Sequence, residues 1–449
     1  MRIVIVGAGK LGYSLAEYLT REEHEVIVIE NDEEHREIIK NNLDILTIAG
    51  NGANPEILSD ANVRNADLLI ACTYSDEVNM IICMMAKKIG IKQTVARIRS
   101  NEYTGIADSF IRNVTEIDLV LNPERIIAVE ISRVLLTPFA MDTSDFADGK
   151  VKIFETKIQE MSPYVNKPIY SLNLPKDILI SGILRKSKLI IPRGNDIILP
   201  KDTVFFIGLR DTIAEFEKNF SEPMGKIERV LIIGAGRVGR YLAPLLENRG
   251  LSVKVIDKDI ARCEQTSSLL KNGIVICGDG SNIELLTQEG ASEADIVICL
   301  TEDDKLNLLL ALLAKHLGAK KTVVKTAFTE YANLMEEVGV GIVVSTRLLS
   351  VGEILRFVNK GDVLSLSLFE GAKAEAIEII IDENSPLAGM PLKNIELPKN
   401  CLVCAVVHQD TAIIPFGNTV LYPGDRAILF VEFASVNTVM SYLKGGSIF

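Results

Sequence analysis

The stretch Ile3-Val4-Ile5-Val6-Gly7-Ala8-Gly9-Lys10-Leu11-Gly12 decides the fold. An apolar run of strand type enters a G-x-G-x-x-G sequence, and a helix-like stretch follows it. The first glycine permits a tight turn, the second lets backbone approach a pyrophosphate, and the third lets helix pack on strand. Backbone N–H groups at the helix N-terminus then face the phosphates. The arrangement returns as Val230-Leu231-Ile232-Ile233-Gly234-Ala235-Gly236-Arg237-Val238-Gly239, 227 residues later (234 − 7). In each copy an acid closes a second strand pattern, Glu30 after Val26-Ile27-Val28-Ile29 and Asp257 after Val253-Lys254-Val255-Ile256. Such an acid accepts from ribose hydroxyls. One G-x-G-x-x-G is a weak signal, and a glycine-rich turn that binds nothing is the plain alternative. Two copies with matched acids favour two nucleotide-type sites, or one site and a relic.

The repeat runs well beyond the glycines. Gly50-Asn51-Gly52 matches Gly278-Asp279-Gly280 at an offset of 228 (278 − 50), Asn79 matches Asn307, and Arg97 matches Lys325. Ala66-Asp67 through Thr73 likewise matches Ala294-Asp295 through Thr301. Strand patterns begin near residues 2, 26, 45, 67, 94 and 117 and alternate with helical stretches. That alternation predicts a six-stranded doubly wound parallel sheet of Rossmann type, repeated from 229 to about 344.

Proline turns mark the segment after each sheet. Ser162-Pro163, Leu174-Pro175, Ile191-Pro192 and Leu199-Pro200 match Ser385-Pro386, Leu397-Pro398, Ile414-Pro415 and Tyr422-Pro423 at an offset of 223 (385 − 162). They punctuate a small β-rich domain of about 70 residues in each half. The expected order is Rossmann-like over 1–140, small α+β over 141–224, Rossmann-like over 225–359 and small α+β over 360–449. A repeat on this scale means duplication and a quasi-symmetric assembly. Between sheet and small domain lie apolar helical stretches, Pro123 to Phe139 and Thr346 to Val358. Each reads either as a core helix or as a helix crossing onto a partner domain.

Composition narrows the function. The chain has 449 residues, 48% hydrophobic and 24% charged, with net charge −12 and pI near 5.1. That balance argues against a nucleic-acid partner or an anionic-membrane surface. No apolar run approaches the roughly 18 residues of a membrane span, and no signal-peptide pattern opens the sequence. Seven cysteines in a long chain fit a reducing compartment, so a soluble cytoplasmic protein is expected. Cys401-Leu402-Val403-Cys404 lies in a strand-like run, where residues three apart point to opposite faces. With no second cysteine pair to complete a metal site, core packing is its expected role and no metal is assigned. His24, His35, His316 and His408 do not recur between the halves, so none reads as a repeated ligand or base.

Other groups converge on the carboxyl ends of the strands, where doubly wound folds bind ligands. Thr73-Tyr74 and Thr301-Glu302 follow the fourth strand, each with a hydroxyl placed to reach base or ribose. Arg97 and Lys325 end the fifth strand within reach of phosphate, with Arg99 assisting only in the first half, where the second has Ala327. Lys10 and Arg237 sit inside the glycine motifs. A 2′-phosphate about 4 Å from the Glu30 carboxylate would cost roughly 4 kcal/mol at an effective dielectric of 20, which disfavours NADP. NAD(H), ATP and ADP stay open, and the two sites need not bind the same nucleotide. A dehydrogenase also needs a proton donor or acceptor beside the nicotinamide and a domain to hold the substrate. The small domains offer no matched constellation, so a binding protein is favoured over its rival, an NAD-dependent oxidoreductase.

In domain order and in these segments the chain resembles the tandem RCK (KTN) family, nucleotide-binding regulatory subunits of bacterial and archaeal Trk potassium-uptake systems. The resemblance covers the full length. It rests on Gly7 to Gly12, Gly50-Asn51-Gly52, Asp76-Glu77-Val78-Asn79, Ala96-Arg97-Ile98-Arg99 and the small-domain proline turns. It implies the order RCK_N, RCK_C, RCK_N, RCK_C and no enzyme activity. It also implies a ring, a homotetramer of tandem chains, peripheral on the cytoplasmic face of the membrane. That ring would gate a TrkH- or TrkG-type potassium translocator. The resemblance places an NAD(H) site on Gly7, Ala8, Gly9, Lys10, Leu11, Gly12, Glu30, Thr73, Tyr74 and Arg97. A second site falls on Gly234, Ala235, Gly236, Arg237, Val238, Gly239, Asp257, Thr301 and Lys325. ATP or ADP is open particularly at the second site, with Lys10 or Arg237 reaching the terminal phosphate. The helices at 123–139 and 346–358 would assemble the ring. An RCK regulator of another cation channel or exchanger is the alternative within the resemblance.

Overall fold

The computed structural model describes residues 1–103, 113–136, 142–186, 188–220, 227–327, 334–335, 338–358, 363–369 and 374–443. Its first sheet runs β1 (Arg2–Val6), β2 (Glu25–Glu30), β3 (Leu46–Ala49), β4 (Leu68–Ala71), β5 (Gln93–Arg97) and β6 (Leu119–Leu121). The order is β3-β2-β1-β4-β5-β6, and every pairing is parallel. The central strands β1 and β4 are almost wholly buried because helices cover both faces, which is why they read as unbroken apolar runs. The strand order reverses between β1 and β4, opening a crevice at their carboxyl ends.

The first small sheet comprises β7 (Asp142–Phe146), β8 (Val151–Lys157), β9 (Ile178–Arg185), β10 (Lys188–Ile190) and β11 (Thr203–Leu209). It is antiparallel in the order β10-β9-β11-β8-β7. The parallel architecture then repeats in β12 (Arg229–Ile233), β13 (Ser252–Asp257), β14 (Ile274–Cys277), β15 (Ile296–Cys299), β16 (Lys321–Thr326) and β17 (Ile342–Ser345). Their order, β14-β13-β12-β15-β16-β17, is that of the first sheet. The last sheet, β18 (Val363–Phe369), β19 (Ala374–Ile380), β20 (Cys401–His408), β21 (Thr411–Ile413) and β22 (Arg426–Glu432), has the order β18-β19-β22-β20-β21. Strand for strand it matches the first small sheet.

The chain divides into two compact units: Met1–Leu135 with Lys226–Glu353, and Leu136–Gly225 with Ile354–Phe449. The first unit holds both parallel sheets. The helix Pro123–Leu136 places Ile127, Ala128, Ile131 and Leu135 in one buried core with Val230, Ile232, Leu242, Val255 and Ile298 of the second sheet. Of the two readings of this stretch, the crossing helix is the one the fold adopts; residues 137–139 of the expected helix lie outside the described residues. At its start, Asn122 Nδ2 donates to the Tyr241 hydroxyl at 2.8 Å.

The second unit holds the two small sheets face to face. Phe146, Val151, Phe205 and Ile207 share a core with Ala376, Cys404, Ala405 and Phe430, and the Phe205 and Phe430 ring centroids lie 5.2 Å apart. Charged groups close the seam. Glu378 Oε2 accepts from the Ala147 amide at 3.0 Å, and Arg426 Nη1 lies 2.9 Å from Asp148 and 3.2 Å from Glu378. Cys404 belongs to this shared core, whereas Cys401 packs on the other face with Val436, Val439 and Leu443. The cysteine pair is divided between two faces of one strand, as its spacing predicts.

Candidate functional site

Gly7 and Gly234 turn the chain out of β1 and β12 at φ +102° and +114°, a left-handed conformation that favours glycine. A Cβ at Gly12 would lie 1.9 Å from the Gly7 carbonyl oxygen, and one at Gly239 2.2 Å from that of Gly234. The first and third glycines are therefore required by the protein itself. The middle ones are not: a Cβ at Gly9 or Gly236 would meet no atom within 4 Å. Their bareness leaves an open cradle against the backbone.

That cradle is the N-terminus of a helix, Lys10–Arg21 in one sheet and Arg237–Glu247 in the other, and neither has a side-chain cap. Asp32, Ser75, Asp259 and Asp303 cap neighbouring helices with their own oxygens. The two glycine-loop helices thus present bare amides and the positive end of the helix dipole to the crevice. An anion fits there, and a pyrophosphate can lie close against the protein backbone at Gly9 or Gly236.

The matched acids brace the loop. Glu30 accepts from the Ala8 amide at 2.5 Å and from the Asp32 amide at 2.9 Å. Asp257 does the same for Ala235 at 2.6 Å and Asp259 at 2.9 Å. A carboxylate has about four acceptor positions, so each keeps capacity for a ribose hydroxyl.

Thr73 and Thr301 face inward. The Thr73 hydroxyl donates to Asn79 Oδ1 at 2.7 Å and its amide to the same oxygen at 2.8 Å. Asn307 repeats both contacts on Thr301 at 2.7 and 2.8 Å. Each asparagine, fully buried, also donates to the carbonyl ending the fifth strand, Asn79 to Arg97 at 2.9 Å and Asn307 to Lys325 at 3.1 Å. The Asn79–Asn307 match in the repeat was the signal for this clamp; the residue's role was not readable from type alone. Tyr74 stands 86% exposed at the rim.

Cations gather beside the loops. Arg97 Nε is buried with no hydrogen-bond partner, and Nη1 reaches only the Cys72 carbonyl at 3.5 Å. Arg99 donates to the Tyr74 carbonyl at 2.6 Å, and burial followed by the charge of Arg97 lowers its pKa. Burial likewise lowers that of Lys325. Arg99, Ser100 and Glu102 line a cleft of about 430 Å³ with Arg237, Arg240 and Gln265 of the second sheet. Glu124, at the start of the crossing helix, lies 4.0 Å from Arg237. In a chain of net charge −12, this crowding of cations suits an anionic ligand. Lys10 and Arg237 open the two helices, Leu11 and Val238 follow them, and Val238 is buried. Among the described residues no group of three or more His, Cys, Asp or Glu side chains could hold a metal, and no helix is long and apolar enough to cross a membrane.

The TrkA-N domain family matches residues 3–123 and 230–346, and the TrkA-C domain family matches 153–221 and 376–444. The chain is 36% identical over 454 aligned residues to the Trk system potassium uptake protein TrkA homolog 1 of Methanosarcina mazei, covering 99% of this chain and 100% of that protein. It is 33% identical to the Trk system potassium uptake protein TrkA of Halomonas elongata, over 96% of each. Among solved structures it resembles the GsuK channel at a TM-score of 0.63 and 19% identity, covering 99% of this chain and 79% of that one. The GsuK channel bound to NAD superimposes at 0.61, also at 19% identity and the same coverage, a likeness of fold.

Proposed function

The chain belongs to the TrkA family of tandem TrkA-N and TrkA-C proteins, and from that premise we propose that it is a nucleotide-binding regulatory subunit of a membrane potassium-uptake system. The observation that carries the nucleotide half of this reading is the uncapped glycine cradle. It occurs twice, is open at Gly9 and Gly236, and is braced each time by a carboxylate. The potassium half rests on the names of full-length relatives.

NAD(H) is the ligand proposed for the first site. Its pyrophosphate would lie over the amides at Gly9 to Gly12, a ribose against Glu30, and a phosphate within reach of Arg97. The second site, with Asp257, Lys325 and Arg237, takes NAD(H) or an adenine nucleotide whose terminal phosphate Arg237 reaches. Thr73 and Thr301 support the cradle through their asparagines, and Tyr74 stands at its rim. Boundaries near residues 140, 224 and 359 follow the passage from sheet to sheet. The protein acts as a binding module on the cytoplasmic face of the membrane, in a ring of tandem chains bound to a TrkH- or TrkG-type translocator. A nucleotide moves such a ring only by its differential affinity for two ring shapes, typically about 1–3 kcal/mol per coupled site.

Isothermal titration with NADH, NAD, ATP and ADP tests this on the wild type and on Gly9→Asp and Gly236→Asp. Each variant adds a carboxylate to an open cradle, at a position where a Cβ meets no atom within 4 Å. Loss of one separate binding component per variant is expected. Turnover of a bound nucleotide, or no binding by any of the four, would overturn the reading.

A further inference from the structure

Two thiols lie against the same stretch of backbone at the lip of the second nucleotide cradle. Cys263 lies on the helix Ile260–Ser267 and Cys277 is the last residue of β14. Cys277 is paired in register with Asp257, the acid that braces the glycine loop. Cys263 Sγ lies 3.8 Å from the carbonyl of Ile276, the residue before Cys277. Cys263 Sγ also donates to the Asp257 carbonyl at 3.2 Å, and Cys277 Sγ lies 3.9 Å from the Lys258 carbonyl. Both thiols therefore touch the backbone of the segment 257–259, whose carboxylate holds the Ala235 and Asp259 amides. Cys277 is exposed, whereas Cys72, Cys83, Cys263, Cys299, Cys401 and Cys404 are buried. The first sheet has no counterpart: subtracting the repeat offsets of 227 and 228 gives Arg36 and Ala49.

We propose that Cys263 and Cys277 form a reversible two-electron oxidation site that acts on the second nucleotide cradle alone. The oxidant is a peroxide. The Cys277 thiol loses its proton to solvent, and the thiolate attacks one peroxide oxygen; the O–O bond breaks, leaving a sulfenic acid and a hydroxide that takes up a proton. Cys263 then loses its proton, and its sulfur attacks the Cys277 sulfur. The S–S bond forms, the S–OH bond breaks and water leaves. Two thiols and one hydrogen peroxide thus become one disulfide and two waters. Exposure makes Cys277 the first thiol to react, and the seat of Cys263 against the backbone at Asp257 and Ile276 makes it the resolving partner. An S–S bond is about 2.05 Å long, so the two sulfurs must approach to form it. Closing it draws helix and strand together and removes the donor from the Asp257 carbonyl. Burial, and then the neighbouring Cys277 thiol, push the Cys263 thiol up to about 11, so the resolving step quickens as pH rises toward that value.

This inference rests on the second cradle binding a nucleotide, and its test separates the two. The full chain is treated with hydrogen peroxide, alkylated, and mapped by mass spectrometry for a peptide linking Cys263 to Cys277. The same samples are titrated with nucleotide. The linked peptide should form, and should vanish with dithiothreitol and in Cys277→Ser. The binding component lost in Gly236→Asp should weaken at least about fivefold, the low end of typical coupling, and the other should not move. No linked peptide, or a linked peptide with the second component within twofold of its reduced value, overturns the proposal. Peptide mapping gives its answer even if neither component binds, an outcome that would sink the nucleotide reading and, with it, the effect proposed on the cradle.

Discussion

Asn79 and Arg97 are joined by one hydrogen bond, Nδ2 to carbonyl at 2.9 Å, that ties a helix to the carboxyl end of β5. The same asparagine takes the Thr73 amide, so a single fully buried side chain fixes two strand ends at the crevice. Asn79→Ala strands the Thr73 amide and the Arg97 carbonyl. A loss of about 2–4 kcal/mol is expected by urea denaturation, with Asn307→Ala doing the same in the second sheet. A loss under about 1 kcal/mol in both would show that water replaces the clamp.

The glycines should separate by role. Gly12→Ala drives its Cβ into the Gly7 carbonyl, at 1.9 Å, and should cost about 3 kcal/mol or more in stability. Gly9→Ala meets nothing, so the fold should hold while nucleotide affinity falls. Thermal melts with and without NADH distinguish the two. Equal melting temperatures for both variants would contradict the geometry.

Glu22, buried, and His24, half-buried, lie at the opposite end of the first sheet, with His24 Nε2 4.0 Å from the Glu22 carboxylate and Nδ1 3.4 Å from the Met1 amine. Burial pushes Glu22 up from 4.5 to about 7 and pulls His24 down from 6.5 to about 4. Below pH 4.5 Glu22 is protonated in folded and unfolded chains alike. Between that value and about 7 the folded chain binds the extra proton, so this group makes stability fall as pH rises. His24 acts in the opposite sense between about 4 and 6.5, where stability rises with pH. Glu22→Gln should therefore gain on the order of 2 kcal/mol over the wild type at pH 8 and little at pH 4. Denaturation midpoints of the two proteins across that range check it; a gain independent of pH would refute the burial argument.

At the seam of the small sheets, Arg426→Met leaves the Glu378 carboxylate buried without its cation. About 3–5 kcal/mol of stability should go. Adding Glu378→Gln removes the stranded charge and keeps an acceptor for the Ala147 amide, so the double variant should recover part of the loss. A double-mutant cycle in guanidinium measures it, and strict additivity would mean that the two side chains do not interact.

Much of this was legible in the chain. The doubly wound parallel sheets followed from the βα alternation, because parallel strands buried on both faces must be apolar throughout. The duplication followed from the glycine and proline offsets, and the division of Cys401 from Cys404 from the two-residue period of a strand. The direction of the helix at 123–136 was not legible: a broad apolar face is the same for a domain's own core and for its neighbour's. Nor could residue type show that the Thr73 hydroxyl turns inward to Asn79, since a threonine after a strand serves either direction equally well. The thiol pair escaped because Cys263 and Cys277, 14 residues apart (277 − 263), become neighbours only through the packing of helix on sheet.

The crossing helix has a consequence on the ribosome. Its apolar face is synthesised by residue 135, whereas the sheet that buries it is complete only at Ser345, 210 residues later (345 − 135). At about 5–20 residues per second, that leaves the face uncovered for roughly 10–40 s in every newborn chain. The two halves, although copies of one another, cannot mature one after the other, and the nascent first half is the stage at which a chaperone or a second nascent chain would find a greasy surface to hold.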